Sequence, residues 1–344
     1  MTTIKNRDLF LDIAKGLAII LVVVGHVIQG SSQYFDDLLW FRVIYSFHMP
    51  LFVFLSGAVA AIEFKSDRVQ DGVLAAFVQA KTKIVKATIR LLLPFISWCL
   101  INQFIYHHSD SLISALILAF RRPDTALWFL LAIFYCIVLA ELFNILFSAI
   151  YTFSKRVSFN GLANWILDGR VQIALMILIW WAIREHTPRG AGLSLIRPYF
   201  IYYVLGIGFY KYVYLKISTW KSLPAWLIFI GLIPFWSRTA IDNLDTSIVL
   251  PNAFTYFYAG MVALSGSFVI LSIAKWISET HIKALNSFLV LCGQLSLGIY
   301  AIHYFFLPFL VFSTEITKMK TFHCQTLIPS FIIFFWIIIV FLQN

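Results

Sequence analysis

Long apolar runs separated by short polar segments dominate the chain. A helix needs about 20 mainly apolar residues to cross a bilayer core. Runs of this kind lie near 10–28, 45–63, 88–106, 126–149, 170–184, 198–215, 222–236, 252–274, 286–311 and 325–342. The pattern predicts an all-α fold, a polytopic integral membrane bundle of about ten transmembrane helices. Pro50, Pro94, Pro234 and Pro308 interrupt several runs. Backbone groups freed by such prolines are tolerated only where neighbouring helices or a wet cavity satisfy them. Ser111–Phe120 is too short to cross and reads as interfacial or re-entrant; if it does cross, every later orientation inverts.

Composition strengthens this picture. Of 344 residues, 61% are hydrophobic and 12% charged, about half the charge of an ordinary soluble domain, and mean hydropathy is +0.86. A water-soluble body is excluded on those grounds. The net charge of +10 does not point to nucleic acid, because the basic residues fall between apolar runs, as orientation signals do. With the N-terminus inside, about two thirds of the 26 basic residues face the cytoplasm, which places both termini there in a cytoplasmic (inner) membrane. Lys65, Arg68, Lys81, Lys83, Lys86 and Arg90 cluster in one such segment. Lys5 and Arg7 precede the first apolar run in the manner of a signal peptide, but no small-residue cleavage site follows, so the run is read as a retained span. Cys99, Cys136, Cys292 and Cys324 lie far apart without metal-ligand spacing and read as packing residues. No metal site is expected, and the whole of residues 1–344 reads as a single transmembrane domain with no separate soluble domain.

Candidate chemistry starts in the first span, where Asp12, Lys15 and His26 interrupt apolar sequence. At 100° per residue, the eleven steps from Lys15 to His26 leave them about 20° apart on one face and about 16 Å apart along the axis. That face carries an ion pair near the cytoplasmic end and an imidazole well inside. Intramembrane ionisable groups usually face a cavity or a partner; interface anchoring by Asp12 and Lys15, with a structural hydrogen bond from His26, is the bland alternative. His48 lies at the outer end of the second span, where it is expected to approach the pocket of His26. Glu141, in mid-span, needs a partner or a proton. Ser296, Tyr300 and His303 recur three or four residues apart on one helical face and read as a polar seam or as interhelical hydrogen bonders. Trp128 opens a span at the outer side, where a belt tryptophan is the default.

Several of these pieces resemble the membrane-bound acyltransferase-3 family. The chain is similar above all to the branch of fucose 4-O-acetylase-like and surface-glycan O-acetyltransferases. The likeness rests on Leu11-Asp12-Ile13-Ala14-Lys15-Gly16-Leu17-Ala18-Ile19 running to Val24-Gly25-His26, and on Phe47-His48-Met49-Pro50-Leu51-Phe52 running to Leu55-Ser56-Gly57. Arg90-Leu91-Leu92-Leu93-Pro94, Leu127-Trp128-Phe129-Leu130 and Ser296-Leu297-Gly298-Ile299-Tyr300-Ala301-Ile302-His303 complete it, in the family's order. The resemblance implies an acetyl-CoA-dependent membrane O-acyltransferase. Acyl-CoA from the cytoplasm would be the co-substrate, with no permanently bound cofactor, and a hydroxyl of a surface glycan or lipid-linked sugar the acceptor. It implies that His26 is the essential imidazole, placed with Lys15 and Asp12 in a catalytic group. Lys83, Lys86 and Arg90 are candidates for the CoA phosphates, although the family's Arg-x-x-Arg spacing is missing. His48, Trp128, Ser296, Tyr300 and His303 complete the candidate substrate-binding set.

The chemistry of the residues is compatible. An imidazole is matched at neutral pH to taking the proton of an acceptor hydroxyl; equally, His26 could accept the acyl group covalently before passing it on. Lys and Arg are natural partners of phosphate. A secondary transporter or exporter of a glycan or small polar solute would also show broken helices and buried charge, and is the alternative reading.

Overall fold

The computed structural model describes residues 8–31, 33–105, 111, 113–114, 116–117, 127–188, 190–214, 222–238, 249–280 and 282–310. Among them no strand occurs, and helices account for nearly all of these residues. Six helices are long and apolar enough to cross a membrane: Leu9–Ser31, Leu39–Ala61, Val73–Ile101, Trp128–Arg156, Gly190–Tyr212 and Phe254–Glu279. Two bent pairs, Asn160–Leu167 with Gly169–His186 and Lys283–Gln294 with Ser296–His303, raise the number to eight if each is one span. The all-α membrane bundle is therefore present, with six to eight candidate spans among the described residues; the count of ten is not established. The difference between eight and ten has two local sources. The run 222–236 forms only a short apolar helix, Leu223–Phe235, and the run 325–342 lies outside the described residues. Half of Ser111–Phe120 lies outside them as well.

The chain packs as two compact units, Met1–Phe52 with Lys216–Asn344, and Val53–Leu215. In the first unit, helix α1 (Leu9–Ser31) packs against α2 (Leu39–Tyr45), α11 (Val249–Glu279), α12 (Lys283–Gln294) and α13 (Ser296–Leu310). Helix α3 (His48–Ala61) begins in this unit and ends in the other, and α10 (Leu223–Leu232) packs on α11. α1 is apolar nearly all round, burying Phe10, Leu11, Ile13, Ala14, Ala18, Ile19, Val22, Val23, Val27 and Ile28. The second unit holds α4 (Val73–Ala87), α5 (Leu93–Ile105), α6 (Trp128–Arg156), α7 (Asn160–Leu167), α8 (Gly169–Ile183) and α9 (Ile196–Tyr212). There α6 packs on α4, α7 and α9, and α9 on α8. Cys99, Cys136 and Cys292 are buried, as packing residues are.

The backbone leaves regular helix around three of the interrupting prolines. Pro50 sits in the first turn of α3, where its missing N–H costs least. The chain breaks just before it, and the Ser46 hydroxyl donates to the Val43 carbonyl at 2.7 Å. Before Pro94 the backbone widens to a π-turn over Thr88–Leu92, with the Leu93 N–H reaching the Thr88 carbonyl. At Pro234, where α10 ends, Arg42 of α2 donates to the carbonyls of Pro234 and Trp236. Next to it, Arg238 donates from Nε and Nη2 to the two carboxylate oxygens of Asp36 at 2.9 and 2.8 Å. This fork holds the Asp36 carboxyl below its ordinary range and ties the α1–α2 linker to the end of α10.

Glycine sets how closely the helices approach. A Cβ on Gly16 would collide with the Leu289 backbone of α12, and one on Gly293 with the Asp12 backbone of α1. The two glycines thus let α1 and α12 cross backbone to backbone, the small-residue packing that membrane helices use in the absence of a hydrophobic drive. In the second unit Gly57 and Gly206 play the same reciprocal parts against Tyr203 and Phe54. Gly293→Ala should therefore cost about 1–3 kcal/mol, read as a lower Tm of detergent-solubilised protein. Gly231→Ala in α10, where a Cβ meets nothing within 4 Å, is the control and should raise stability by roughly 0.5–1 kcal/mol. A gain at Gly293 equal to that at Gly231 would show that helix propensity, not the close crossing, governs these positions.

Candidate active site

The Asp12–Lys15 pair forms as the spacing predicts, with Lys15 Nζ 2.6 Å from Asp12 Oδ1. Asp12 is 6% exposed, beside the Gly16–Gly293 crossing, so the ion pair sits where α1 and α12 touch most closely. Three turns further along α1 is His26, half-buried, and α13 brings His303 to it. His26 Nδ1 lies 2.9 Å from His303 Nε2, and the two rings stack at 5.0 Å with an interplanar angle of 17°. His303 is fully buried, and its Nδ1 lies 2.7 Å from the backbone carbonyl of Tyr300, one turn earlier.

The carbonyl fixes where the protons are. An oxygen of this kind only accepts, so His303 Nδ1 carries the hydrogen. In the neutral ring His303 Nε2 is then an acceptor, and His26 Nδ1 must donate to it. The lone pair of a neutral His26 therefore resides on Nε2. One backbone carbonyl thus sets the tautomer of two imidazoles in series.

His48 joins the same aromatic run, though not by direct hydrogen bonding to His26. Tyr45 lies between them, its ring edge-on to His26 at 6.2 Å and tilted to His48 at 4.5 Å. His48 is buried, and its Nδ1 donates to the Ile44 carbonyl at 3.0 Å, at the break between α2 and α3. The Tyr45 hydroxyl donates to Gln29 Oε1 at 2.6 Å. Tyr300, also buried, tilts against the His303 ring at 5.6 Å. Ser296 opens α13 at the 68° bend after α12, seven residues and about 10 Å before His303. Tyr45 and Gln29 were not singled out by the sequence reading. The available signal was spacing: Gln29 follows His26 by three residues and Tyr45 precedes His48 by three, one helical turn in each case.

The remaining candidates belong to the second unit. Lys83 of α4 is half-buried and its Nζ lies 2.6 Å from Glu141 Oε1 of α6, which names the partner that Glu141 requires. Asn144 donates to the other oxygen, Oε2, at 3.3 Å. Lys86 and Arg90 are exposed, Arg90 within the π-turn. Lys65, Arg68, Lys83, Glu141, Asn144 and Gln172 are among the residues lining a small, partly enclosed cleft. Gln172 is committed there, its amide donating to the carbonyls of Ser66 and Ile166 at 2.9 and 2.7 Å. Trp128 is half-buried and tilts against Tyr199 at 5.6 Å. Among the described residues no group of three His, Cys, Asp or Glu could hold a metal ion.

Comparison with known proteins agrees with the pattern of residues. The chain is 30% identical over 181 residues to the nodulation protein NolL of Sinorhizobium fredii, covering 50% of this chain and 43% of that protein. It is 26% identical over 263 residues to the nodulation protein NolL of Mesorhizobium japonicum, covering 70% of this chain and 60% of that one. The chain thus spans roughly half the length of these relatives. No solved structure matches it significantly. Residues 8–342, nearly the whole chain, match the acyltransferase domain Acyl_transf_3; the chain belongs to the acyltransferase-3 family.

Proposed function

We propose that the protein is a membrane-bound O-acyltransferase that moves an acyl group, acetyl in the first instance, from cytoplasmic acyl-CoA to a hydroxyl of a cell-envelope glycan or lipid-linked sugar. The observation that carries the proposal is the His26 ring, on the same face of α1 as the Asp12–Lys15 pair and held with its lone pair on Nε2. Family membership supports acyl transfer. The presence of such a base supports an alcohol acceptor, whose proton must be removed as it attacks.

The reaction balances with this one base. The acceptor hydroxyl gives its proton to His26 Nε2 as its oxygen bonds to the thioester carbonyl carbon. The carbon–sulfur bond then breaks, and the departing thiolate takes the proton back from Nε2, leaving an ester, a free thiol and a neutral imidazole. Lys15 keeps Asp12 compensated at the α1–α12 crossing and so holds the helix that carries His26. Lys83, Lys86 and Arg90, with Lys65 and Arg68 on the same cleft or segment, supply the positive charge that the CoA phosphates need. The protein would sit in the inner membrane with its N-terminus in the cytoplasm, as the distribution of Lys and Arg favours.

The test uses inverted membrane vesicles carrying the full chain, [¹⁴C]acetyl-CoA and endogenous envelope glycans. Base-labile label should appear in the glycan fraction, with stoichiometric release of free CoA thiol. Transport of glycan with no consumption of acetyl-CoA would reject the enzyme in favour of an exporter.

A further inference from the structure

The sequence groups His303 with substrate-contacting residues, but its surroundings fit another task. The ring is fully buried, stacked on His26 and tilted against Tyr300. Both of its nitrogens are engaged, Nδ1 with the Tyr300 carbonyl and Nε2 with His26. We infer that His303 is a positioning residue: it selects the His26 tautomer that carries the lone pair on Nε2 and supports the charge that His26 acquires in the reaction. The inference rests on reading His26 as the base.

The physical argument has two parts. Without a hydrogen-bond acceptor at Nδ1, an imidazole in water or in a polar cleft distributes its proton between two nitrogens, and only one tautomer presents a base at Nε2. His303 Nε2 supplies that acceptor, and its own orientation is fixed by a backbone carbonyl that no side-chain motion can remove. When His26 Nε2 takes the hydroxyl proton, its Nδ1–H becomes a cationic donor, and its bond to His303 strengthens as charge-assisted bonds do. The described hydrogen-bond and ring neighbours of these two rings include Tyr45, Tyr300 and the rings themselves, all of them neutral groups. A neutral orienter of this kind stabilises the imidazolium without placing a negative charge in the membrane interior, where a lone carboxylate would be costly.

The decisive measurement is spectroscopic and needs no substrate. Full-length protein with ¹⁵N-labelled histidine in nanodiscs should show His26, assigned by its loss in His26→Gln, with a bare Nε2 and a protonated Nδ1. His303→Leu should move His26 toward the opposite tautomer. A protonated Nε2 on His26 in the unmodified protein overturns the proposal, whether or not the protein transfers acyl groups. Kinetics supply the second arm. His303→Leu should lower kcat by roughly 10²-fold with acyl-CoA and acceptor KM little changed. His303→Gln, whose amide oxygen can accept from Nδ1–H, should recover at least about a tenth of the activity. A raised acceptor KM with kcat intact would instead make His303 a substrate contact and the proposal wrong. Should His303→Leu fail to accumulate, the spectrum of the unmodified protein still decides.

Discussion

Replacement of His26 by Gln should reduce acetyl transfer by about 10²–10⁴-fold, the range that a positioned general base contributes. Gln keeps hydrogen-bonding capacity but cannot take a proton at neutral pH, so the loss isolates proton transfer from packing. The structural penalty should be small. His26 is half-buried, and losing its bond to His303 costs roughly 0.5–1.5 kcal/mol, a modest fall in Tm. Lys15 behaves differently because its partner Asp12 is buried in a close helix crossing. Lys15→Arg preserves the charge and should retain most activity. Lys15→Ala leaves an uncompensated carboxylate, which is strongly destabilising in such surroundings, and should lower activity and Tm together. The measurement is labelled acetyl transfer in membranes, normalised to inserted protein. Near-normal transfer by His26→Gln would show that the imidazole is structural and that another base is at work.

How much of this was legible in the sequence follows from the range of each interaction. The Asp12–Lys15 pair and the common face of Lys15 and His26 are local, within one helix, and helical periodicity alone places them. The membrane bundle was legible for the same reason, since hydropathy is a property of each segment by itself. The span count was not, because 222–236 forms only a short helix and 286–311 bends by 68° after Gln294. Such departures depend on what packs alongside. The His26–His303 bond joins residues 277 positions apart, beyond any periodicity argument. Spacing on α13 suggested a seam of Ser296, Tyr300 and His303, and of these the Tyr300 and His303 rings lie against each other. It did not show that the Tyr300 contribution to the hydrogen-bond chain is its backbone carbonyl. Likewise mid-span Glu141 announced the need for a partner, while only the packing of α4 on α6 identified Lys83.

That pair yields the second large effect. Lys83 and Glu141 are 28% and 9% exposed in their side chains, so Glu141 depends on Lys83 far more than Lys83 depends on Glu141. Lys83→Met should strand the buried carboxylate and cost toward the lower end of about 3–5 kcal/mol, since water still reaches part of the site. Glu141→Gln should cost less, because the lysine can turn its ammonium outward to solvent along its flexible stem and Asn144 can still bond the amide. The double variant Lys83→Met, Glu141→Gln removes both charges and should lie close to the unmodified protein. The resulting coupling, measured as a double-mutant cycle on thermal or denaturant unfolding in detergent, should exceed about 1 kcal/mol. Additive losses would mean that the two side chains stabilise the fold independently. The same double variant separates the two tasks open to Lys83. Being stable, it reports on the donor directly: an unchanged KM for acyl-CoA assigns Lys83 to holding α4 on α6, and leaves the phosphates to the exposed cations Lys86 and Arg90. A KM raised several-fold shows that Glu141 holds the Lys83 ammonium at the cleft where the donor binds.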